Sequence, residues 1–327
     1  GKLRAIVYLE NNLVYGAFKE KQLDIVKMLS SQIAISFENA LVYQSLEQKV
    51  KERTSELHEA YENISDKNKS ITSSIAYAST IQSSILAKFD NIGYLFKDNF
   101  VFWQPKDVVS GDFYWFLETE KHVLFAAIDC TGHGVPGAMM SMIGNKILYE
   151  AVNIHGFLMP NEILDHLYTE VIRALSQKKT NNNDGMDIAL VTLEKDPNQP
   201  NKYTKLYYSG AMNPLVFIEN NELHRVKATK KSIGGWDEDT KHQPFKLYEK
   251  DVTSPMSIYL YSDGFQDQFG GKNNEKFFAR RFRNLLHKVS SQPMKEQQKQ
   301  LSLTLNQWIK EGSEEQIDDI LVLGVSI

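Results

Sequence analysis

Val123-Leu124-Phe125-Ala126-Ala127-Ile128-Asp129-Cys130-Thr131-Gly132-His133-Gly134-Val135-Pro136 is the stretch whose reading decides the fold. A continuous apolar run bounded by a turn signal reads as a buried strand, and this one ends on an acid. Gly132-His133-Gly134 forms a tight turn, and Pro136 then starts a helix in a position where its missing N–H costs nothing. Glycine allows close backbone approach to an ion or phosphate, and a helix N-terminus favours anionic charge. A plain strand-to-helix loop is the bland alternative, and it is the weaker reading here.

Three further acidic motifs lie outward from this one: Val109-Ser110-Gly111-Asp112-Phe113-Tyr114-Trp115, Ser262-Asp263-Gly264, and Gln316-Ile317-Asp318-Asp319-Ile320. Asp112, taken alone, is a turn residue capping its own backbone. Asp263 ends the apolar run Ile258-Tyr259-Leu260-Tyr261, and Asp318-Asp319 precede Ile320-Leu321-Val322-Leu323. Carboxylates gathered from distant segments repel one another and persist only around something cationic. Hard divalent ions prefer oxygen ligands, so Mg²⁺ or Mn²⁺ fits this set better than zinc. The pattern points to a binuclear metallohydrolase acting on a phosphate.

The chain has 327 residues, 42% hydrophobic and 24% charged, with a net charge of −4. That supports a packed core and two or three units, and it argues against nucleic acid as a partner. The one cysteine, Cys130, excludes an internal disulfide and agrees with a reducing, cytoplasmic setting. No run approaches the ~18 apolar residues of a membrane span. The chain begins at Gly1 without a Met, which reads as a piece of a longer protein.

Three zones are expected. Residues 1–40 read as a strand, Ala5-Ile6-Val7-Tyr8-Leu9, followed by a helix. Residues 41–90 read as a coiled-coil linker. Val50, Leu57, Ile64, Ile71, Ala78 and Ile85 recur every seventh residue. The companion series Leu46, Arg53, Ala60, Lys67, Ser74 and Ile81 is polar or small in its middle, which suits a switchable linker as well as an inert spacer. The chain is therefore expected to form a parallel homodimer through this helix, roughly 100 Å long over 21–86. Residues 91–327 alternate strands and helices. Strands are expected at 100–104, 112–117, 122–129, 186–193, 205–209, 215–218, 223–226, around 248, at 257–261 and at 320–327. Helices are expected from Pro136, from Pro160, at 275–289 and at 294–310. This is an α+β pattern of antiparallel sheets with covering helices.

The order Ser-Gly-Asp-Phe-Tyr, Asp-x-x-Gly-His-Gly-Val-Pro-Gly-Ala, Ser-Asp-Gly-Phe and Asp-Asp-Ile resembles the SpoIIE/RsbU-type branch of the PP2C-like (PPM) metal-dependent serine/threonine phosphatases, over roughly residues 95–327. The resemblance implies an α/β/β/α sandwich of two antiparallel sheets. It implies two Mn²⁺ or Mg²⁺ ions, with a third in some relatives. By position Asp129 looks like the bridging carboxylate, and the backbone carbonyl of Cys130 like the next ligand. Asp263 and Asp318 match ligands from the later motifs, with Asp319 beside them, and Asp112 matches the first-motif Asp. His133 is a candidate general acid, with a purely structural turn residue as its alternative. The implied substrate is a phosphoprotein of bacterial partner switching, such as a phosphorylated anti-sigma-factor antagonist. The first 40 residues resemble the last strand and helix of a GAF sensory domain, which would control the enzyme through the coiled coil.

The chain departs from the wider pattern at Ala211-Met212-Asn213-Pro214, where many relatives have Gly-His-Asn-Pro. No secure equivalent of the phosphate-gripping Arg of eukaryotic relatives is found, and Lys106 is the nearest cation. Three rival readings stand beside the phosphatase. A non-catalytic scaffold with the same fold would be expected to have lost a carboxylate such as Asp129 or Asp263. A nucleotide cyclase would need an acid after Ser110-Gly111-Asp112, where Phe113 stands. A thiol phosphatase would need an Arg near Cys130 rather than the preceding Asp129, which raises a thiol pKa.

Overall fold

The computed structural model describes residue 3 and residues 6–86, 93–199, 202–235 and 243–327. The chain divides into two compact units, Gly1–Thr72 and Ser73–Ile327. Helix α1 (Glu20–Ile85) agrees with the uninterrupted helical pattern. The first unit differs from expectation upstream of it. Ala5 of the expected strand lies outside the described residues, and residues 6–9 form no strand. Ile6 and Tyr8 are largely exposed there. A single strand with no partner in its own unit gains neither ladder hydrogen bonds nor burial, so β-propensity alone does not hold it. Val50, Leu57, Ile64 and Ile71 are exposed along α1. No helix among the described residues is long and apolar enough to cross a membrane.

In the second unit a 3-10 turn (Gly93–Leu95) leads to β1 (Asp98–Gln104), β2 (Phe113–Glu118) and β3 (His122–Cys130). Helices α2 (Gly134–Asn153) and α3 (Pro160–Ala174) follow, then β4 (Gly185–Lys195), β5 (Tyr203–Ala211), β6 (Leu215–Glu219), β7 (Glu222–Val226), β8 (Ile233–Gly234), β9 (Tyr248–Asp251) and β10 (Met256–Tyr261). The chain ends through α4 (Gly264–Asp267), β11 (Phe269–Gly270), β12 (Glu275–Lys276), α5 (Ala279–Val289), α6 (Met294–Gly312) and β13 (Ile320–Ser326).

One sheet runs β1-β13-β10-β6-β7, the other β2-β3-β4-β5-β9 with β8 on β4, and the pairs within both are antiparallel. The continuous apolar run of β3 is explained by burial on both faces. Val123, Phe125 and Ala127 face the layer between the sheets, in one cluster with Ile258 and Leu260 of β10 and Leu321 and Leu323 of β13. Leu124, Ala126 and Ile128 point the other way, into a layer with Leu148, Leu164 and Leu167 of α2 and α3. The last strand behaves alike: Ile320 and Val322 pack with Phe282, Leu286, Leu301 and Leu305 of α5 and α6. The result is the expected α/β/β/α sandwich. Each fully buried Leu, Ile or Phe contributes roughly 1.5–3 kcal/mol.

Two of the boundary differences have a clear local cause. Helix α2 begins at Gly134, so Pro136 is its third residue, still within the first turn where no N–H is needed. Helix α5 begins at Ala279 rather than 275, because Glu275 and Lys276 pair with Gly270 and Phe269.

Candidate functional site

Strand ends bring the four motifs to one edge of the two sheets. Gly111, Gly132 and Gly137 meet backbone to backbone. A Cβ on Gly111 would stand 2.6 Å from the Gly132 carbonyl oxygen, and one on Gly137 would stand 2.2 Å from it. Only glycine permits this approach of the first motif to the second. A Cβ on Gly264 would stand 2.0 Å from the Asp319 carbonyl oxygen, so the third and fourth motifs meet in the same way. The Ser262 hydroxyl accepts the Leu321 amide at 2.9 Å and secures that junction.

Asp112 is 2% exposed, and its Oδ2 has no hydrogen-bond partner. Burial, together with the charges of Asp319, Asp318 and Asp263, pushes its carboxyl well above the ordinary range. Asp129 is pushed up strongly as well, by burial first and then by Asp112 and Asp263. The Asp263 amide donates to Asp129 Oδ2 at 3.4 Å. Burial and the charges of Asp267 and Asp318 raise Asp263 to about 6. Asp318, exposed at the rim, is raised mainly by desolvation. Burial and then Asp129 drive the Cys130 thiol well upward, which leaves it protonated and unfit as a nucleophile.

Asp319 plays a different part. It is 2% exposed. Its Oδ1 accepts the Lys106 amide and its Oδ2 the Gly111 amide, both at 2.7 Å. His133 is half-exposed; its Nδ1 lies 2.6 Å from Asp107 Oδ2, and its Nε2 lies 2.9 Å from Lys106 Nζ. An ammonium has only donors, so Nε2 accepts, and the ring proton sits on Nδ1 facing Asp107. In this arrangement His133 Nε2 has no proton to give.

Sequence reasoning missed Asp187. It faces Asp129 across the β3–β4 ladder and accepts from the Ser232 hydroxyl at 2.6 Å. Desolvation raises its carboxyl too. The signal was present as a lone acid between Met186 and Ile188 in an apolar strand. Asp129, Asp187 and Asp263 border a cleft of about 450 Å³, with Lys230, Ser232 and Met212 also on its wall. Lys231 also lines the cleft, but its Nζ donates to the Gln243 carbonyl at 2.9 Å and lies 3.6 Å from the Tyr168 ring centroid. Among the described residues, no three His, Cys, Asp or Glu side chains are gathered closely enough to make a ready-formed ligating group.

A protein-family model described as stage II sporulation protein E (SpoIIE) matches residues 119–327. The SiaA-PP2C domain of Pseudomonas aeruginosa is 31% identical, with a TM-score of 0.68 over 80% of this chain and 98% of that one. The PP2C phosphatase domain of SpoIIE from Bacillus subtilis, solved with a fragment of its regulatory domain, is 15% identical with a TM-score of 0.54. That match covers 70% of this chain and 63% of that one, and it shows the fold. A Dictyostelium discoideum protein named hybrid signal transduction histidine kinase G is 51% identical over 43 residues, which is 13% of this chain and 1% of that protein. So short a match carries no activity. The chain belongs to the SpoIIE family and has the PP2C-like fold of a phosphoprotein phosphatase.

Proposed function

We propose that this chain is a metal-dependent phosphoserine/phosphothreonine protein phosphatase. The observation that carries the reading is the buried Asp112 carboxylate, with one oxygen unpartnered, among Asp129, Asp263 and Asp318. A buried, unpaired carboxylate is costly, so the metal-free Asp112 side chain favours its protonated form, and a bound cation would hold it ionised. An all-oxygen donor set suits Mg²⁺ or Mn²⁺, which keep several waters and need only a few carboxylates. Asp129, the Cys130 carbonyl, Asp112, Asp263 and Asp318 would hold two such ions. Bound there, the ions supply a water of lowered pKa and neutralise phosphoryl oxygens.

The chain's own residues have separate tasks. Asp319 holds the first-motif loop, each of its oxygens accepting one backbone amide. Lys230 offers a cation to the phosphate at the cleft wall. Asp107 orients His133. The fold neighbours include SpoIIE and the RsbU and RsbW domains of a Mycobacterium tuberculosis protein, which supports a partner-switching substrate such as a phosphorylated anti-sigma-factor antagonist. Control from an upstream sensory domain through a dimeric coiled coil in the cytoplasm completes the reading, supported by the exposed apolar seam of α1.

A scaffold without catalysis is disfavoured because every carboxylate of the motif set is present. Incubation with a phosphoserine protein and with GTP, each with Mn²⁺, tests the proposal. Release of phosphate from the protein alone is expected. Turnover of GTP alone, or of neither, would reject it.

A further inference from the structure

Helix α1 has one buried residue among its described positions, Gln82, which lies in the second unit at 4% exposure. Both ends of its amide are used. Nε2 donates to the Ser110 carbonyl at 2.7 Å and to the Ser141 hydroxyl at 2.9 Å, and Oε1 accepts the Ser110 amide at 3.2 Å. Gln82 thus satisfies both backbone groups of Ser110, a residue of 0% exposure two positions before Asp112. Ser141 belongs to α2, the helix that follows the Asp129 motif, and its hydroxyl donates in turn to the Ala138 carbonyl at 2.8 Å. One side chain therefore ties the first motif to the second.

The other supports of this loop come from the sandwich itself. Asp319 holds Lys106 and Gly111, and the Trp103 indole donates to the Asp112 carbonyl at 3.1 Å. Gln82 is the support that comes from α1. Without it, a buried N–H and a buried C=O at Ser110 lose their partner, and the loop must shift to find others.

We propose that Gln82 is a positioning residue that sets the Asp112 carboxylate for metal binding and makes that setting depend on the last turns of α1. The proposal rests on the reading of Asp112 as a metal-site residue. Hydrogen-bonded supports behind a ligand change metal affinity by about 10–100-fold when removed.

The test is direct Mn²⁺ binding by calorimetric titration, beside phosphatase activity and thermal melting, in wild type, Gln82→Met and Gln48→Met. Methionine keeps the length and removes every hydrogen bond. Gln48 is exposed on the same helix and donates to Glu52. Gln82→Met is expected to bind Mn²⁺ about tenfold or more weakly and to need correspondingly more Mn²⁺ for half-maximal activity. Gln48→Met is expected to match wild type. Gln82→Met that melts lower but binds Mn²⁺ within about twofold of wild type would overturn the proposal, since a merely structural role moves only the melt. If Gln82→Met does not fold, Ser141→Ala removes one acceptor and carries the same test: weaker binding supports the proposal and unchanged binding overturns it. Wild-type protein that binds no Mn²⁺ removes the metal-site reading and this proposal with it, which separates the two failures.

Discussion

Gly111 and Asp319, 208 positions apart, are joined by a 2.7 Å hydrogen bond from the Gly111 amide to a buried carboxylate oxygen. The other oxygen takes the Lys106 amide at the same distance. Hydrogen bonds to a charged acceptor contribute roughly 1.5–3 kcal/mol each. Asp319→Ala is therefore expected to lose about 3 kcal/mol or more in urea unfolding, and Asp319→Asn, which keeps one acceptor, to lose less. An alanine variant within about 0.5 kcal/mol of wild type would show that the clamp carries no stability.

Stability should respond to pH in a direction fixed by the raised carboxylates. Asp263 titrates at about 6 in the folded protein against an ordinary 3.8. Between those values the folded state holds a proton that the unfolded state has lost, so metal-free stability falls as pH rises through the window. Asp112 and Asp129 are raised well above the ordinary range and act with the same sign. Metal binding needs the ionised carboxylates, so stabilisation by Mn²⁺ should grow as pH rises. Melting curves in EDTA and in Mn²⁺ from about pH 5 to pH 8 would show the two trends diverging. A Mn²⁺ gain that is largest at the acid end would contradict the metal assignment.

The seam of α1 gives a prediction about association. Val50, Leu57, Ile64 and Ile71 are 57%, 71%, 59% and 57% exposed in the single chain. Burying each in a partner helix is worth roughly 1.5–3 kcal/mol. Sedimentation at micromolar concentration is expected to give a dimer, and Leu57→Glu with Ile64→Glu a monomer. A wild-type monomer would reject the coiled-coil dimer.

The buried strands were legible because β3 and β13 are covered on both faces and therefore read as unbroken apolar runs. The acids that end or precede them were legible for the same reason, since Asp129, Asp263 and Asp318 stand out against such runs. The two-residue strands β8, β11 and β12 leave no period to detect. Ala5-Ile6-Val7-Tyr8-Leu9 has strand-forming residues, yet residues 6–9 form no strand, because pairing partners decide where propensity only permits. Gln82 was hidden because a glutamine on a polar helix looks like any solvated residue until Ser110 and Ser141 are brought beside it. Asp107 and Asp187 depend likewise on neighbours distant in sequence.

The nucleophile should come from a water, leaving Cys130 without a chemical role beyond its backbone. Cys130→Ser is expected to keep phosphatase activity and its Mn²⁺ dependence. Loss of activity in a folded Cys130→Ser protein would revive the thiol mechanism.

The most direct test of the account is a Mn²⁺ titration of phosphate release from a phosphoserine protein, run on wild type and Asp129→Asn side by side. Wild type should be inactive in EDTA and recover on adding Mn²⁺, whereas Asp129→Asn should stay inactive at every concentration while melting as a folded protein. Turnover by Asp129→Asn at the wild-type rate, or wild-type activity that persists in EDTA, would contradict it.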